Sequence, residues 1–405
     1  MHIDQSFQQP SLLKDINLYI IFGITLTAIM GVTSIAPALP SISRSLGVST
    51  DQIGLLITFF TIPGILFTPV LGIMADRFGR KRILIPSLFL FGLAGTACAF
   101  STSFEQLLLF RFFQGTGGAA LGVLNLTLIG DLYPKNLRAT VMGYNGGVLS
   151  VGTAAYPAVG GALTLLGWHY PFYLALLAIP VGLFTLISLH TQKLSKPLKL
   201  QLYFSEIKAA LASPLVAGLF TGIFLTFIIL YGGYITFFTI LLDERFNQSA
   251  LMIGIILSSS SFITAFTSSQ LGRLTARFNE DSLIITASVF YFFIFLSIPL
   301  IDNIWWFIIP ISAFGIAQGI NIPSILNLIT GYAKKDFRAA FLSINWVIMR
   351  LGQALGPYLL GIVYLHFKID GTFYATTFIA AIFVCVSVLL ISPGMNSIKN
   401  QNEGQ

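Results

Sequence analysis

Charge is what this sequence has least of: 9% of its 405 residues are Asp, Glu, Lys or Arg, against roughly 25% in an ordinary soluble chain. Its two cysteines, Cys98 and Cys385, give no disulfide framework, and both fall inside apolar runs, where they read as packing residues. The histidines, His2, His169, His190 and His366, lie outside those runs or at their ends. No metal-spaced cluster, nucleophile with a base in reach or Walker loop is legible, so nothing points to an enzyme or to a cofactor. Strands of alternating polarity are missing too, which excludes a porin-type barrel. Acids are absent from the middle of every long apolar run.

What fills the chain instead is sequence suited to hydrocarbon: 55% hydrophobic residues, with a mean hydropathy of +0.85. Twelve runs, each about long enough to cross a ~30 Å core as helix, occupy 18–40, 52–74, 83–101, 105–129, 139–163, 168–190, 213–241, 250–272, 282–300, 304–330, 339–364 and 372–392. The first exceeds a secretory apolar region and lacks a cleavage pattern, so it is kept as a membrane helix. The expected fold class is an all-α membrane protein of twelve transmembrane helices with no separate soluble domain. Arg44, Arg245 and Lys368 fall on one side, Arg111 and Arg350 inside the runs, and the remaining Lys and Arg on the side holding both termini. The positive-inside rule makes that side cytoplasmic. The formal charge of +7 then belongs to a bilayer surface and gives no support to a nucleic-acid partner. The expected location is a prokaryotic cytoplasmic membrane.

An offset of 200 residues brings the chain onto itself. "GIMADRFG" at 72–79 falls on "GRLTARFN" at 272–279, "LTLI" at 126–129 on "LNLI" at 326–329, "KNLRA" at 135–139 on "KDFRA" at 335–339, and "GTAAYPAVGG" at 152–161 on "GQALGPYLLG" at 352–361. Four matches in order at one offset imply two halves, 1–190 and 213–405. Six crossings is an even number, so the halves are parallel repeats about the membrane normal, the arrangement in which a midplane site lies between parts that rock against each other. Segment 191–212 joins them, either as a short interfacial helix or as a solvated linker.

These residues resemble the major facilitator superfamily along essentially the whole chain. "GIMADRFGRKR" at 72–82 is similar to the family's cytoplasmic loop motif, with Met74 where leucine is commonest. Gly72 and Gly79 permit close backbone approach, and Asp76 offers an acceptor to a neighbouring helix N-terminus. The resemblance implies that Asp76, Arg77 and Arg80 belong to a latch closing the cytoplasmic side. The second copy has Ala276 opposite Asp76, so the latch should be one-sided. "RFFQGTGGAA" at 111–120 resembles the family's intramembrane arginine motif. Arg111, Gln114, Gly118, Gly122 and Asn125 share a face within about 80°, suited to a cavity or partner helix; Arg111 could equally be structural, bonding carbonyls of the first helix. Gly143, Gly152, Tyr156-Pro157 and Gly160-Gly161 resemble the motif of the twelve-helix drug:proton antiporter branch, with Tyr156 replacing its Gly before Pro157.

"SINWVIMRLGQALGPYLLG" at 343–361 sets Trp346, Arg350 and Gln353 on one face within about 60°. A guanidinium at mid-depth costs about 2.5–3.5 kcal/mol on insertion scales, so Arg350 is expected to face a cavity. Tyr231, Tyr234, Gln318, Asn321, Gln114 and Asn125 are expected to complete that cavity, with Asn145 near one end; for the two tyrosines, ordinary interfacial anchoring is the other reading. The family's efflux proteins for lipophilic cations often resemble one another in a carboxylate within the first helix, and this one has none. The leading expectation is proton-coupled efflux of small amphipathic compounds by alternating access, driven by the proton gradient, from a monomer in the lipid bilayer. The alternative is a metabolite or organic-anion permease with Arg350 as substrate clamp.

Overall fold

The computed structural model describes residues 12–189, 213–332 and 338–395; the expected interfacial segment at 191–212 lies outside them. Every regular element among the described residues is helical. In chain order these are α1 (Ile16–Thr33), α2 (Leu39–Leu46), α3 (Leu55–Phe78), α4 (Arg80–Ala97), α5 (Phe104–Leu132), α6 (Lys135–Thr164) and α7 (Ala178–Ser188). They continue as α8 (Pro214–Ile228), α9 (Thr239–Glu244), α10 (Ala250–Ser269), α11 (Leu271–Thr275), α12 (Glu280–Ser297), α13 (Ile308–Tyr332) and α14 (Arg338–Val386). Ten helical spans among the described residues are long and apolar enough to cross a membrane. The fold is all-α and multi-span.

Local chemistry sets the boundaries. Ser103 and Ser249 accept from the backbone N–H groups of Gln106 and Met252 and so cap α5 and α10. The first apolar run breaks at Thr33 rather than continuing to 40, because a 3₁₀ turn through Ala36–Ala38, carrying Pro37, redirects it into α2. In the run at 168–190, a 3₁₀ segment, Tyr170–Leu177 with Pro171 near its start, precedes α7. The run at 139–163 lies inside the 30-residue α6. Its glycines and polar residues make α6 less apolar than the ten spans, although about 45 Å of helix is ample to cross. The "YGGY" stretch forms a π-helical segment, Ile229–Phe238, between α8 and α9, and Thr236 donates to the Tyr231 carbonyl at 2.7 Å, taking up an acceptor displaced from the ordinary ladder. α14 is broken at Lys368, whose φ of 57° lies in the left-handed region.

Packing is by glycine and small hydroxyls. A Cβ on Gly115 would fall on the Phe60 carbonyl, and a Cβ on Gly315, 200 positions later, would meet the Ser260 carbonyl at 2.7 Å. Thr68 donates to the Ala119 carbonyl at 2.9 Å, and Ser268 donates to the Gly319 carbonyl at 3.1 Å, again 200 positions on. The offset seen in sequence is thus an offset in contacts, the close approach that small residues allow between membrane helices. Behind α13 an aromatic core gathers Tyr234, Phe238, Tyr291, Phe295 and Phe314. Large apolar side chains such as Ile187, Phe262, Trp305 and Leu389 point outward, as lipid contact requires.

Gly115→Val should lower the unfolding midpoint in detergent, because the added methyls overpack a backbone contact at a cost of about 1–3 kcal/mol. Gly130→Ala, where a Cβ meets nothing within 4 Å, should leave it unchanged or raise it; equal effects would contradict the packing described.

Candidate functional site

The parts before residue 190 and after residue 212 touch chiefly through two helix pairs, α3 with α14 and α6 with α10. In each pair the contact is confined to one end. A Cβ on Gly54 would meet Pro357 at 2.9 Å, and Thr58 donates to the Ala354 carbonyl at 2.7 Å. A Cβ on Gly161 would fall on the Ala250 carbonyl and one on Gly254 on the Pro157 carbonyl, while the neighbouring Gly160 packs within the first part on the Ser34 carbonyl. Ala158 N–H donates to Ser258 Oγ at 3.0 Å. Gly361 presses on the Asp51 carbonyl, the counterpart of Gly161 on Ala250. At the mouth of this end Arg44 pairs with Asp243, and Thr50 donates to Glu244 at 3.2 Å.

Five helical turns away the same faces are bare. Gly72 lies 18 residues from Gly54 and Gly143 lies 18 residues from Gly161, which is five turns of 3.6. A Cβ on either would meet nothing within 4 Å. The two parts are joined at the end carrying residues 50 and 250 and separated at the end carrying residues 79 and 135.

Between the ends stands Arg350. Its stem lies so close to α3 that a Cβ on Gly64 would collide with Arg350 Cδ, Nε and Cζ. Trp346, one turn away, extends toward α5, where a Cβ on Gly122 would touch its ring at 3.7 Å. The Tyr231 phenol is near enough to act on the Arg350 charge. Trp346, Arg350, Gln353 and Tyr231 are half-buried. Arg350 forms no hydrogen bond or ion pair with any described residue; those ion pairs lie near the two ends, at Arg44–Asp243, Arg80–Asp76, Arg80–Asp131 and Arg245–Asp370.

Arg111 is placed otherwise. It is wholly buried and donates to the Leu56 carbonyl at 3.1 Å, the Gly31 carbonyl at 2.7 Å and Gln114 Oε1 at 2.7 Å, with Phe60 under its guanidinium at 4.3 Å. Its side chain ties α5 to α1 and α3. Gln114 is therefore turned toward Arg111 and not into the space beside Arg350. Asn125 donates to Thr25, which donates to Asn145 Oδ1 at 2.6 Å, a buried chain across α5, α1 and α6. Tyr234 is buried, stacked on Phe314 with ring centroids 4.2 Å apart. Asn321 donates to Thr226 at 2.8 Å, and Gln318 is 3% exposed. The expected cavity lining thus divides. Trp346 and Arg350 reach the first part at Gly122 and Gly64, with Tyr231 and Gln353 half-buried on the second part, while Gln114, Asn125, Tyr234 and Asn321 are held inside one part or the other by packing or a partner on a neighbouring helix, and Gln318 is buried there without a hydrogen bond to a described residue.

At the open end Arg80 bridges Asp76, at 3.0 Å, and Asp131, while Arg77 lies over the Phe78 ring. Gly79 has a φ of 100°, which lets the chain turn between α3 and α4. All these partners precede residue 190, so among the described residues the loop holds α3, α4 and α5 together and forms no ion pair with the other part. The glycine motif of α6 runs from Gly143 at the open end to the joint: Gly152 packs on Leu26 and Ile29, while Pro157, Gly160 and Gly161 meet α10 and the α1–α2 turn. Nearby on the open side, burial and the Asp15 carboxylate that accepts its hydrogen bond push the Tyr133 phenol above its ordinary range. Sequence reasoning missed Gly64 and Phe60, whose only signal is a small or flat residue opposite an arginine, and the Arg44–Asp243 pair, separated by 199 positions.

Two outcomes follow from this geometry. Arg111→Lys should cost on the order of 3 kcal/mol in unfolding measurements, because one ammonium cannot serve acceptors on α1, α3 and α5 at once; an unchanged midpoint would contradict the tie. With Cys385 replaced by Ser, Gly143→Cys should react with a water-soluble maleimide several-fold faster than Thr58→Cys, and equal rates would contradict the one-ended closure.

A model of the Major Facilitator Superfamily matches residues 21–243 and again 223–404. The tetracycline resistance protein, class B, of Escherichia coli is 25% identical over 386 residues, covering 91% of this chain and 93% of that protein. The quinolone resistance protein NorA of Staphylococcus aureus (strain COL) is 24% identical over 355 residues, 86% and 88% of the two chains. Among solved structures, a bacterial homologue of the human lysosomal transporter Spinster, inward-facing and occupied, superposes with a TM-score of 0.78 at 19% identity, covering 92% of this chain and 96% of that one. The chain belongs to the Major Facilitator Superfamily and is a secondary active transporter.

Proposed function

We propose that the chain is a proton-coupled exporter of small amphipathic compounds, working by alternating access from a bacterial cytoplasmic membrane. The observation that carries this reading is the one-ended joint: α3 meets α14 and α6 meets α10 at one end only, leaving a cleft with Arg350 in its depth. Counting α6 and dividing α14 at Lys368 adds two crossings to the ten apolar spans, giving twelve. The recurring contacts at an offset of 200 support two bundles of six, 1–190 and 213–405, joined by 191–212. The distribution of Lys and Arg assigns the open end, with its Arg80, Lys81 and Arg82, to the cytoplasm. The conformation is then inward-open, loading from the cytoplasmic side.

Rocking would unmake the joint at Gly161 and Gly54 and bring Gly143 and Gly72 against the facing helices of the other part, the glycines at both ends permitting close approach in turn. Asp76 and Arg80, exchanging their present partners, would close the cytoplasmic side. The resistance proteins similar to this chain support a drug-like amphipathic cargo and outward transport. No carboxylate among the described residues stands beside Arg350, so the exchanging proton is assigned to Asp76, Asp131 or the cargo. The working unit is a monomer, since each cleft is complete within one chain.

Reconstituted into proteoliposomes under an imposed pH gradient, the protein should drive tetracycline or a fluoroquinolone against its concentration gradient, and a protonophore should abolish the movement. Transport indifferent to the pH gradient would remove proton coupling, and no movement of any amphipathic compound would remove the exporter reading.

A further inference from the structure

The two intramembrane arginines are each other's control. Arg111 shows how this protein holds a guanidinium for structure: fully buried, with three acceptors within 3.1 Å and an aromatic face beneath it. Arg350 stands in the cleft with none of that. It makes no hydrogen bond or ion pair to a described residue, and its side chain is kept in place by shape, lying against the bare backbone of α3 at Gly64. A charge left so at mid-depth is costly unless something in the cleft compensates it.

The surroundings fit one kind of compensation. Trp346, one turn before Arg350 on α14, and Tyr231, whose phenol acts on the Arg350 charge and whose ring stacks on Phe227, supply aromatic surface, and Gln353, one turn along α14, has no partner among the described residues. Glycine at 64 and 122 leaves the α3 and α5 walls without a side chain where Arg350 and Trp346 approach them. A guanidinium recognises planar oxyanions through parallel N–H donors, and Trp and Tyr recognise rings. We propose that Arg350 is the anion-recognising residue of the cleft, and that the cargo is an amphipathic aromatic compound bearing a planar acid, a carboxylate or an enolate, whose charge pairs with Arg350 while its ring lies against Trp346 and Tyr231. This rests on the transport reading and narrows its cargo. Lipophilic cations are then disfavoured, because their charge would face an uncompensated cation with no acid nearby.

The test uses three probes of one shape: 2-naphthoate, its neutral methyl ester and (2-naphthyl)trimethylammonium, with binding to the purified full-length protein measured by equilibrium dialysis. The wild type should bind naphthoate roughly tenfold or more tighter than the ester, the yield of one charge-assisted hydrogen-bonded pair, and the cation most weakly. Arg350→Ala should erase the preference for naphthoate while ester binding persists, which also reports that the cleft is intact. If Arg350→Ala does not fold, Arg350→Lys serves, keeping the preference at reduced affinity because charge remains and the planar fork is lost. A wild type that binds ester or cation as tightly as naphthoate overturns the inference, as does a preference that survives Arg350→Ala. Gradient-driven movement of cations with no anion preference would sink this inference and leave the exporter standing. Arg350-dependent naphthoate binding without gradient-driven movement would do the reverse.

Discussion

Backbone meeting backbone at glycine is the contact on which this architecture depends. Lipid tails offer helices no hydrophobic drive to associate, so association comes from dispersion between surfaces that can approach closely. At Gly160, Gly161 and Gly254 a single methyl group would collide with a carbonyl on the facing element. The joint carries few polar links beside these, Thr58 to the Ala354 carbonyl and Ala158 N–H to Ser258, with Arg44–Asp243 and Thr50–Glu244 at its mouth. That property lets one set of faces act as a joint at one end while its continuation five turns away stands open.

Within each part the opposite logic applies. Thr25 links Asn125 to Asn145, Asn321 holds Thr226, and Arg111 holds three helices through carbonyls. Hydrogen bonds in a medium without water have no competing partner, so these ties rigidify each part as a body. Such a division, with dense polar ties inside each part and glycine-lined contact with few hydrogen bonds between them, suits the alternating access proposed above. Arg350 crosses that division, a charge at the moving boundary, which is why its compensation is sought in the cargo.

How much was legible depended on whether a feature is local. The twelve apolar runs, the 200-residue offset and the facilitator motifs were all readable, because each is a pattern in nearest or periodic neighbours. The boundaries near Thr33 and Tyr170 shifted where prolines and 3₁₀ turns interrupted a run that hydropathy alone continues. Helical-wheel reasoning put Gln114 with Arg111 and both with Asn125 on one face, and they do share it. The face turned out to look at α1 and α3, because Gly31 and Leu56 carbonyls offered acceptors that a wheel does not contain.

Sequence alone therefore determined what must be in the membrane: composition settles the solvent, run length marks out apolar helices, and the offset of 200 residues points to a repeated plan. It also singled out two arginines as anomalies. Only the tertiary structure decided that they differ, for a guanidinium's meaning lies in which acceptors surround it. Those acceptors come from residues 55 and 80 positions away for Arg111 and, among the described residues, from none for Arg350. Which end of the cleft is shut was likewise invisible in the sequence, because both ends carry glycines able to meet and the packing of one conformation selects between them.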